Sequence, residues 1–478
     1  MTNFHLPWLE LSVLIPLVGA AVVNRLPDAE TARKWCLGFC GAAFVCTLGE
    51  WRDFAILHEP LAHDPGPLGL WLSDFLELDA LSAPLLPLAS LLYLLTAIAT
   101  LRAKMRRFSF AGMLISLGFV LAVLACRNPW GIIILLAIRT LPPYLELKAR
   151  GRPTRVYALH MALFIGMLAL GWTLVELEGR HGTHSVWAVL PLLVAVLVRT
   201  GSFPFHVWIT DLFEHATFGT ALLYVTPMMG AYVAVRLVLP IAPEWVLQSM
   251  SLISLGTAVY AAGMALVQRE ARRFFCFIFL SHSALVLVGL ETFSHIGLTG
   301  ALCVWLSVGL SLAGFGLTLR ALEARHGRLS LTGYHGIYEH TPLLAVCFLL
   351  TGMASVGFPG TFGFLGMELL VDGVVQTYPY IGVAVVIAGA LNGIAVMQAY
   401  FKLFTGTRHV SAVPLQVGLR ERLAVVVLSA LILGGGMYPQ PGVESRHEAA
   451  VELLAKREGL KAPTEQVTAD ERPAKSAE

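Results

Sequence analysis

Ionisable side chains inside long apolar stretches are costly, and they usually serve a purpose. This sequence has a few. Arg139 sits within Leu135-Leu136-Ala137-Ile138-Arg139-Thr140-Leu141-Pro142-Pro143 and Arg199 follows Val198. His282 lies between Ser281 and Ser283, and Glu368 follows Met367. An arginine stays protonated at any accessible pH, so Arg139 and Arg199 suit charge pairing or contact with an anion better than proton relay. Both need carboxylates or a bound anion, and Glu146, Asp211 and Glu214 are the nearest carboxylates in sequence. Histidine changes charge near neutral pH, so His282 suits proton movement, as an in-membrane carboxylate such as Glu368 also does. Glu146 and Lys402 lie near the ends of their runs, where long side chains reach the interface. A second group is compact: His206, Trp208, Thr210, Asp211, Glu214, His215 and Thr217. Asp211 and His215 are four apart, so one helical turn brings them together. The group has no HExxH or comparable metal spacing, and seven scattered cysteines form no ligand cluster. No dinucleotide fingerprint and no haem or iron–sulfur cysteine run is present. The sequence predicts no metal, no cofactor and no catalytic site of its own.

What must position these residues is a stack of membrane helices. The chain of 478 residues is only 13% charged, where soluble domains carry about a quarter. Its mean hydropathy is +0.72. Of its 33 basic and 31 acidic residues, 14 lie in 439–478. Too few charges remain to cover a soluble chain of this length, which excludes a soluble enzyme, a secreted disulfide scaffold and a nucleic-acid binder. The cysteines read as small buried hydrophobes. The predicted class is an all-α membrane protein of about fourteen spans, at about twenty apolar residues each. They cover 8–24, 34–50, 79–101, 108–126, 129–147, 155–176, 186–203, 217–240, 245–267, 274–293, 297–320, 342–370, 379–405 and 422–438. The first, without a basic leader or cleavage site, reads as retained. The polar segment 439–478 reads as a disordered tail or a short surface helix.

Basic residues fall on alternate loops. Arg25, Arg33 and Lys34, then Arg102, Lys104, Arg106 and Arg107, then Lys148, Arg150, Arg152 and Arg155 share one side. Arg269, Arg272 and Arg273, Arg320, Arg325 and Arg328, and Arg408, Arg420 and Arg422 join them, against Arg52, Arg127 and Arg180 opposite. The positive-inside rule makes the first side cytoplasmic and puts both termini outside an inner (plasma) membrane.

Two spans carry breakers: Gly201 and Pro204 in the seventh, and Gly357, Pro359 and Gly360 in the twelfth. Proline removes a backbone donor, and in hydrocarbon the freed carbonyls need protein or water as partners. A matched pair of broken helices, five spans apart, points to inverted repeats of a transporter.

The stretch Phe203-Pro204-Phe205-His206-Val207-Trp208-Ile209-Thr210-Asp211 resembles the PFHxWLPDA segment of the antiporter-like, proton-pumping membrane subunits of respiratory complex I (NADH:quinone oxidoreductase) and Mrp-type Na+/H+ antiporters. Four other segments are similar: Phe75–Ser82, Gln268–Arg273 with Ser281-His282-Ser283, Gly309–Gly314 and Phe358–Phe364. The likeness covers about residues 75–405. It implies two inverted five-helix bundles, each with a broken helix, joined by a hydrated line of charges. On that division, 1–107 holds helices 1–3, 108–240 the first repeat (helices 4–8), 241–405 the second (helices 9–13) and 406–438 the last span. The implied proton or ion path runs through Arg139, Arg199, His206, Asp211, Glu214, His215, His282, Glu368 and Lys402. The sequence departs from the family pattern. The expected span-five glutamate falls on Ala137, the span-seven lysine on Arg199, the span-eight lysine at about Met228, a span-eleven histidine at about Val308 and the span-twelve charge on Met367. Glu368 is one place later, about 100° round the helix.

The resemblance implies an ion-translocating membrane subunit of a complex-I-like or antiporter-type assembly, with an altered proton wire. Its partners would be the bilayer and other membrane and cytoplasmic subunits. Two alternatives are the membrane partner of a carbonic-anhydrase-like protein in inorganic-carbon uptake, and a non-conducting scaffold.

Overall fold

The structure, a computed structural model, describes residues 7–57, 75–101, 105, 108–179, 184–290, 294–406 and 418–459. Arg102, Lys104, Arg106, Arg107, Arg180 and Arg408 lie outside them. Hydrocarbon offers the backbone no partners, so a spanning chain must close its own hydrogen bonds. The described residues accordingly form helices, with two isolated bridges, Leu76 to Cys126 and Glu270 to Ser330. The first helices are α1 (Trp8–Asn24), α2 (Ala29–Leu57), α3 (Leu85–Ile98), α4 (Phe110–Ala125), α5 (Pro129–Arg139), α6 (Leu141–Ala149) and α7 (Arg155–Glu178). Next come α8 (Val186–Thr200), α9 (Val207–His215), α10 (Phe218–Val225) and α11 (Met229–Val233), which runs into a π-helical turn, Ala234–Val238. The second half holds α12 (Glu244–Leu266), α13 (Ala271–Leu290), α14 (His295–His326), α15 (Pro342–Val356), α16 (Phe362–Thr377) and α17 (Pro379–Phe404). α18 (Leu419–Met437) and α19 (Gln440–Glu458) follow.

By length and composition, seven helices or consecutive helix runs among the described residues suit a membrane crossing, or eight with the α18–α19 pair, which bends by 79°. Other expected spans fall on shorter apolar helices (α1, α3, α4, α8 and α15), of which α8 and α15 end at the breakers. α14 is the axis of the second half and packs against α13, α15, α16, α18 and α19. Apolar helices serve two settings. The best membrane stretch of α13 is 94% buried and that of the equally apolar α7 only 28%, so most of α7 faces away from the rest of the chain. All seven cysteines are buried and free.

Of the two readings of the charged tail, disordered or a short surface helix, residues 440–458 take the second: they form α19, which lies on α14 with one face buried. Fully buried Arg446 donates to the carbonyls of Leu81 (3.0 Å) and Ala80 (2.6 Å). Beside it Arg127 pairs with Glu77 and reaches Glu452 at 3.9 Å. Arginine with apolar neighbours at helical spacing (Ala449, Ala450, Leu453, Leu454) gave this helix a face to bury, which overall polarity concealed.

Candidate functional site

The breaks fall at the expected residues. α8 ends at Thr200 with Gly201 at φ 74°, and the Phe203–Pro204 bond is cis before α9 begins. α15 ends at Val356 with Gly357 at φ 88° and Gly360 at φ 85° before α16. Positive φ suits glycine, which has no Cβ to clash.

A third break, at Thr226-Pro227-Met228, was not anticipated. Pro227 has no N–H for the Leu223 carbonyl four residues back. Met228, at φ 49°, donates to Val225 O (2.9 Å) instead of reaching Tyr224 O. Two carbonyls are thereby freed in the interior, and the two buried arginines take them. Arg139 Nη2 donates to Leu223 O (3.4 Å) and Tyr224 O (3.1 Å), and Arg199 Nη2 donates to Tyr224 O (3.1 Å). Both guanidiniums also lie on the Tyr224 ring, at 5.0 Å and 4.3 Å from its centroid, and Arg199 lies 5.2 Å from the Trp208 ring. Tyr157, Trp208 and Tyr224 pack against one another with centroids 5.8–6.4 Å apart. Trp208 closes the first break by donating Nε1–H to Val198 O at 2.7 Å.

Arg139 is 1% exposed and Arg199 4%. Sharing one acceptor puts the two cations within about 6 Å of each other, a repulsion of about 3 kcal/mol at an effective dielectric near 20. Cation–π contacts of about 2 kcal/mol each when desolvated offset this. None of the three carboxylates nearest in sequence pairs with either arginine among the described residues. Glu146 accepts from Thr217 N (2.7 Å), Thr220 Oγ1 and Arg150 (3.4 Å). Asp211 contacts His215 at 3.2 Å, as the four-residue spacing implied, and Glu214 pairs with Arg328. Among the described residues no ion pair reaches Arg139 or Arg199.

The remaining candidates are dispersed. His206 precedes α9 among Phe203, Tyr260 and Phe277, with Nδ1 buried and unbonded. His282 is fully buried in α13 with both ring nitrogens unbonded. Near it in sequence, Ser281 donates to Ala258 O (2.9 Å) and accepts from Asn392 (2.8 Å), whose Oδ1 has no partner. Glu368 faces outward from α16 while Met367 packs on Gly357, the rotation that their one-residue offset implied. Lys402 is at the far end of α17, lining a cavity of about 780 Å³ with Tyr334 and Gln398. Among the four apolar substitutes, Val308 is buried in α14. These groups thus do not form one constellation. Arg139 and Arg199 converge, Asp211 and His215 converge, and the others stand apart.

Sequence reasoning missed Tyr224, Tyr157 and the buried pair of Asp79 with Arg236, in which Arg236 Nη2 reaches Asp79 Oδ1 at 2.7 Å and Ser82 Oγ at 2.8 Å. It also missed Arg320 as another carbonyl-held arginine, bonded to Thr96 O (3.1 Å) and Thr100 Oγ1 (3.0 Å) over the Phe108 ring. Arg236 inside the apolar run 231–239 was the available signal.

Residues 158–392 match the family described as NADH:quinone oxidoreductase/Mrp antiporter, TM. NAD(P)H-quinone oxidoreductase chain 4 of Gloeobacter violaceus is 29% identical over 91% of this chain and 90% of its own length. The protein of that name from Synechococcus sp. (strain WH7803) is 25% identical over 95% and 90%. Among solved structures, a chain of respiratory complex I from Thermus thermophilus superposes with a TM-score of 0.81 at 22% identity, covering 94% of this chain and 99% of that one. A chain of the Mrp complex from Dietzia sp. DQ12-45-1b gives 0.79 at 19%, covering 95% and 98%. Fold, helix breaks and these likenesses agree: residues 158–392 match that family's model, and over nearly its whole length the chain is similar to NAD(P)H-quinone oxidoreductase chain 4 and shares the fold of complex I and Mrp membrane chains.

Proposed function

We propose that the chain is a proton- or cation-translocating membrane subunit of an NADH:quinone oxidoreductase-like or antiporter-type assembly, with an altered path in its first half. The observation that carries this reading is the matched pair of broken helices, each the fourth expected span of its half, beside buried polar groups. Intramembrane breaks persist only where protein or water takes up the freed backbone groups. Its relatives are named as quinone oxidoreductase subunits, which supports the same assembly. The titratable groups favour the second half as the mobile part: His282 is buried among unbonded polar atoms, whereas Arg139 and Arg199 hold a permanent charge. On this reading the basic loops face the cytoplasm, both termini face outward, and any nicotinamide or quinone chemistry belongs to partner subunits.

Purified subunit with its co-purifying partners, reconstituted in vesicles, tests the proposal. A dye-reported pH gradient should collapse on coupling, and His282→Ala should slow that collapse severalfold. Unchanged flux in His282→Ala would remove that residue from the path. No flux from the wild-type assembly would favour a scaffold.

A further inference from the structure

The break between α5 and α6 opens the flank of the first half. α5 ends at Arg139, Thr140 separates it from α6, and Pro142 and Pro143 stand at the restart. Between α6 and the helices α1, α4 and α10 lies a groove of about 1080 Å³. Its lining is sorted by polarity. Asn24, Ser109, Arg150 and Arg152 line one end, all of them exposed. Leu17, Ala21, Ile115, Leu141 and Leu145 line the walls. Asn24 is the last residue of α1 and Ser109 caps the start of α4, while Leu17 and Ile115 lie near the middles of the same helices. The groove therefore runs about 10 Å from its polar end into apolar helix, at 1.5 Å per residue.

The polar end is positive. Among the described residues Arg152 has no carboxylate partner, and Arg150 has one, Glu146 at 3.4 Å. Glu146 also lines the groove, but its side chain is 10% exposed against 31% for Arg150. Its oxygens are turned inward, accepting from Thr217 N (2.7 Å) and Thr220 Oγ1. Lys148 and Arg155 stand exposed in the same connection. The floor, by contrast, asks for no polar ligand. There the Tyr93 hydroxyl and Ser116 Oγ bond each other at 2.6 Å, Leu223 O accepts from Arg139, and the Tyr224 hydroxyl donates to Met161 Sδ.

We propose that the groove holds one anionic phospholipid, its phosphate on Arg150 and Arg152 and an acyl chain along α1 and α4 toward the floor. Basic pockets between membrane helices take anionic headgroups, and guanidinium suits phosphate through charge-assisted, bidentate hydrogen bonds. The apolar walls and the satisfied floor match the other half of the same molecule. A free inorganic anion would use the arginines and leave those walls uncovered. A zwitterionic headgroup would bring its own cation to an end that is already positive.

The test uses the full chain with its co-purifying partners in neutral detergent and a phosphatidylglycerol that carries a photoactivatable diazirine in one acyl chain. Labelled peptides are mapped by mass spectrometry. The expected result is saturable labelling of α1 and α4, competed severalfold better by unlabelled phosphatidylglycerol than by phosphatidylcholine. Arg150→Gln with Arg152→Gln should raise the half-saturating concentration about twentyfold, at about fivefold per cation. Ala21→Trp, at an exposed position of the wall, should abolish the labelling with both arginines intact. If the double variant does not fold, Arg152→Gln alone decides, with a rise of about fivefold. Absence of saturable labelling on these helices overturns the site, as do equal competition by phosphatidylcholine and undiminished labelling in the variants. Competition by inorganic phosphate at a constant ionic strength of about 0.15 M also overturns it, since a free anion would then suffice. Labelling that appears only after the partners are removed places a partner's segment in the groove and overturns it too. Labelling is read without flux, so failure of the lipid site leaves the translocation proposal standing.

Discussion

The two broken helices end alike and differ in what stands two residues before the terminal glycine. In the first that residue is Arg199 before Gly201; in the second it is Ser355 before Gly357. Ser355 satisfies itself by donating to Gly352 O at 2.6 Å, and the backbone closes with Gly357 N to Ala354 O and Phe358 N to Met353 O, each 3.2 Å. Arg199 needs a carbonyl freed by a third break, a tyrosine face and a tryptophan face. Both are closely packed. α11 approaches the first break so closely that a Cβ on Gly230 would stand 2.3 Å from Thr200 Cγ2 and 3.0 Å from its backbone N. At the second break a Cβ on Gly436 of α18 would stand 2.3 Å from Gly360 O, whereas Gly393 of α17 leaves 3.7 Å to Val356. A helix break in this chain therefore requires close packing but no charge. The first is built around a fixed charge, and the second is neutral.

Transplanting the charge gives the largest expected effect. Ser355→Arg would place a guanidinium where a small hydroxyl is 2% exposed, and should destabilise by about 4 kcal/mol or more, read as a lowered thermal midpoint. An unchanged midpoint in Ser355→Arg would mean that the second break is also able to receive charge. Added methyls should show both breaks closely packed: Gly230→Ala and Gly436→Ala are each expected to cost about 1–3 kcal/mol from overpacking, and Gly393→Ala, where 3.7 Å is left, close to nothing. A cost in Gly393→Ala equal to the other two would mean that the close contacts at the breaks do not set the penalty. The smallest effect belongs outside both. Glu214→Ala, which releases a half-exposed Arg328, should change stability by about 1 kcal/mol or less.

Local rules were enough for what is local. Gly201, Pro204, Gly357, Pro359 and Gly360 marked the breaks because dihedral limits and a missing N–H act within a few residues. The Asp211–His215 contact and the outward turn of Glu368 follow from helical angle alone. What escaped depends on distant partners. The third break was readable in Pro227, but that its carbonyls would be met by arginines 85 and 25 residues away was not. The Asp79–Arg236 pair spans 157 residues, and the face by which α19 docks was hidden because its few buried positions sit among charges. Charge partners in a membrane bundle are set by which helices meet, and a single sequence carries little of that information.

The clasp of Arg446 on the Ala80 and Leu81 carbonyls has a consequence for how such a protein is made. Leu81 leaves the ribosome 365 residues before the side chain that completes it. At about 5–20 residues per second the gap is about 20 to 70 s. Until then the Ala80 and Leu81 carbonyls lack the side chain that answers them in the folded chain. The synthesis of α19 supplies it, so a late segment completes an early one.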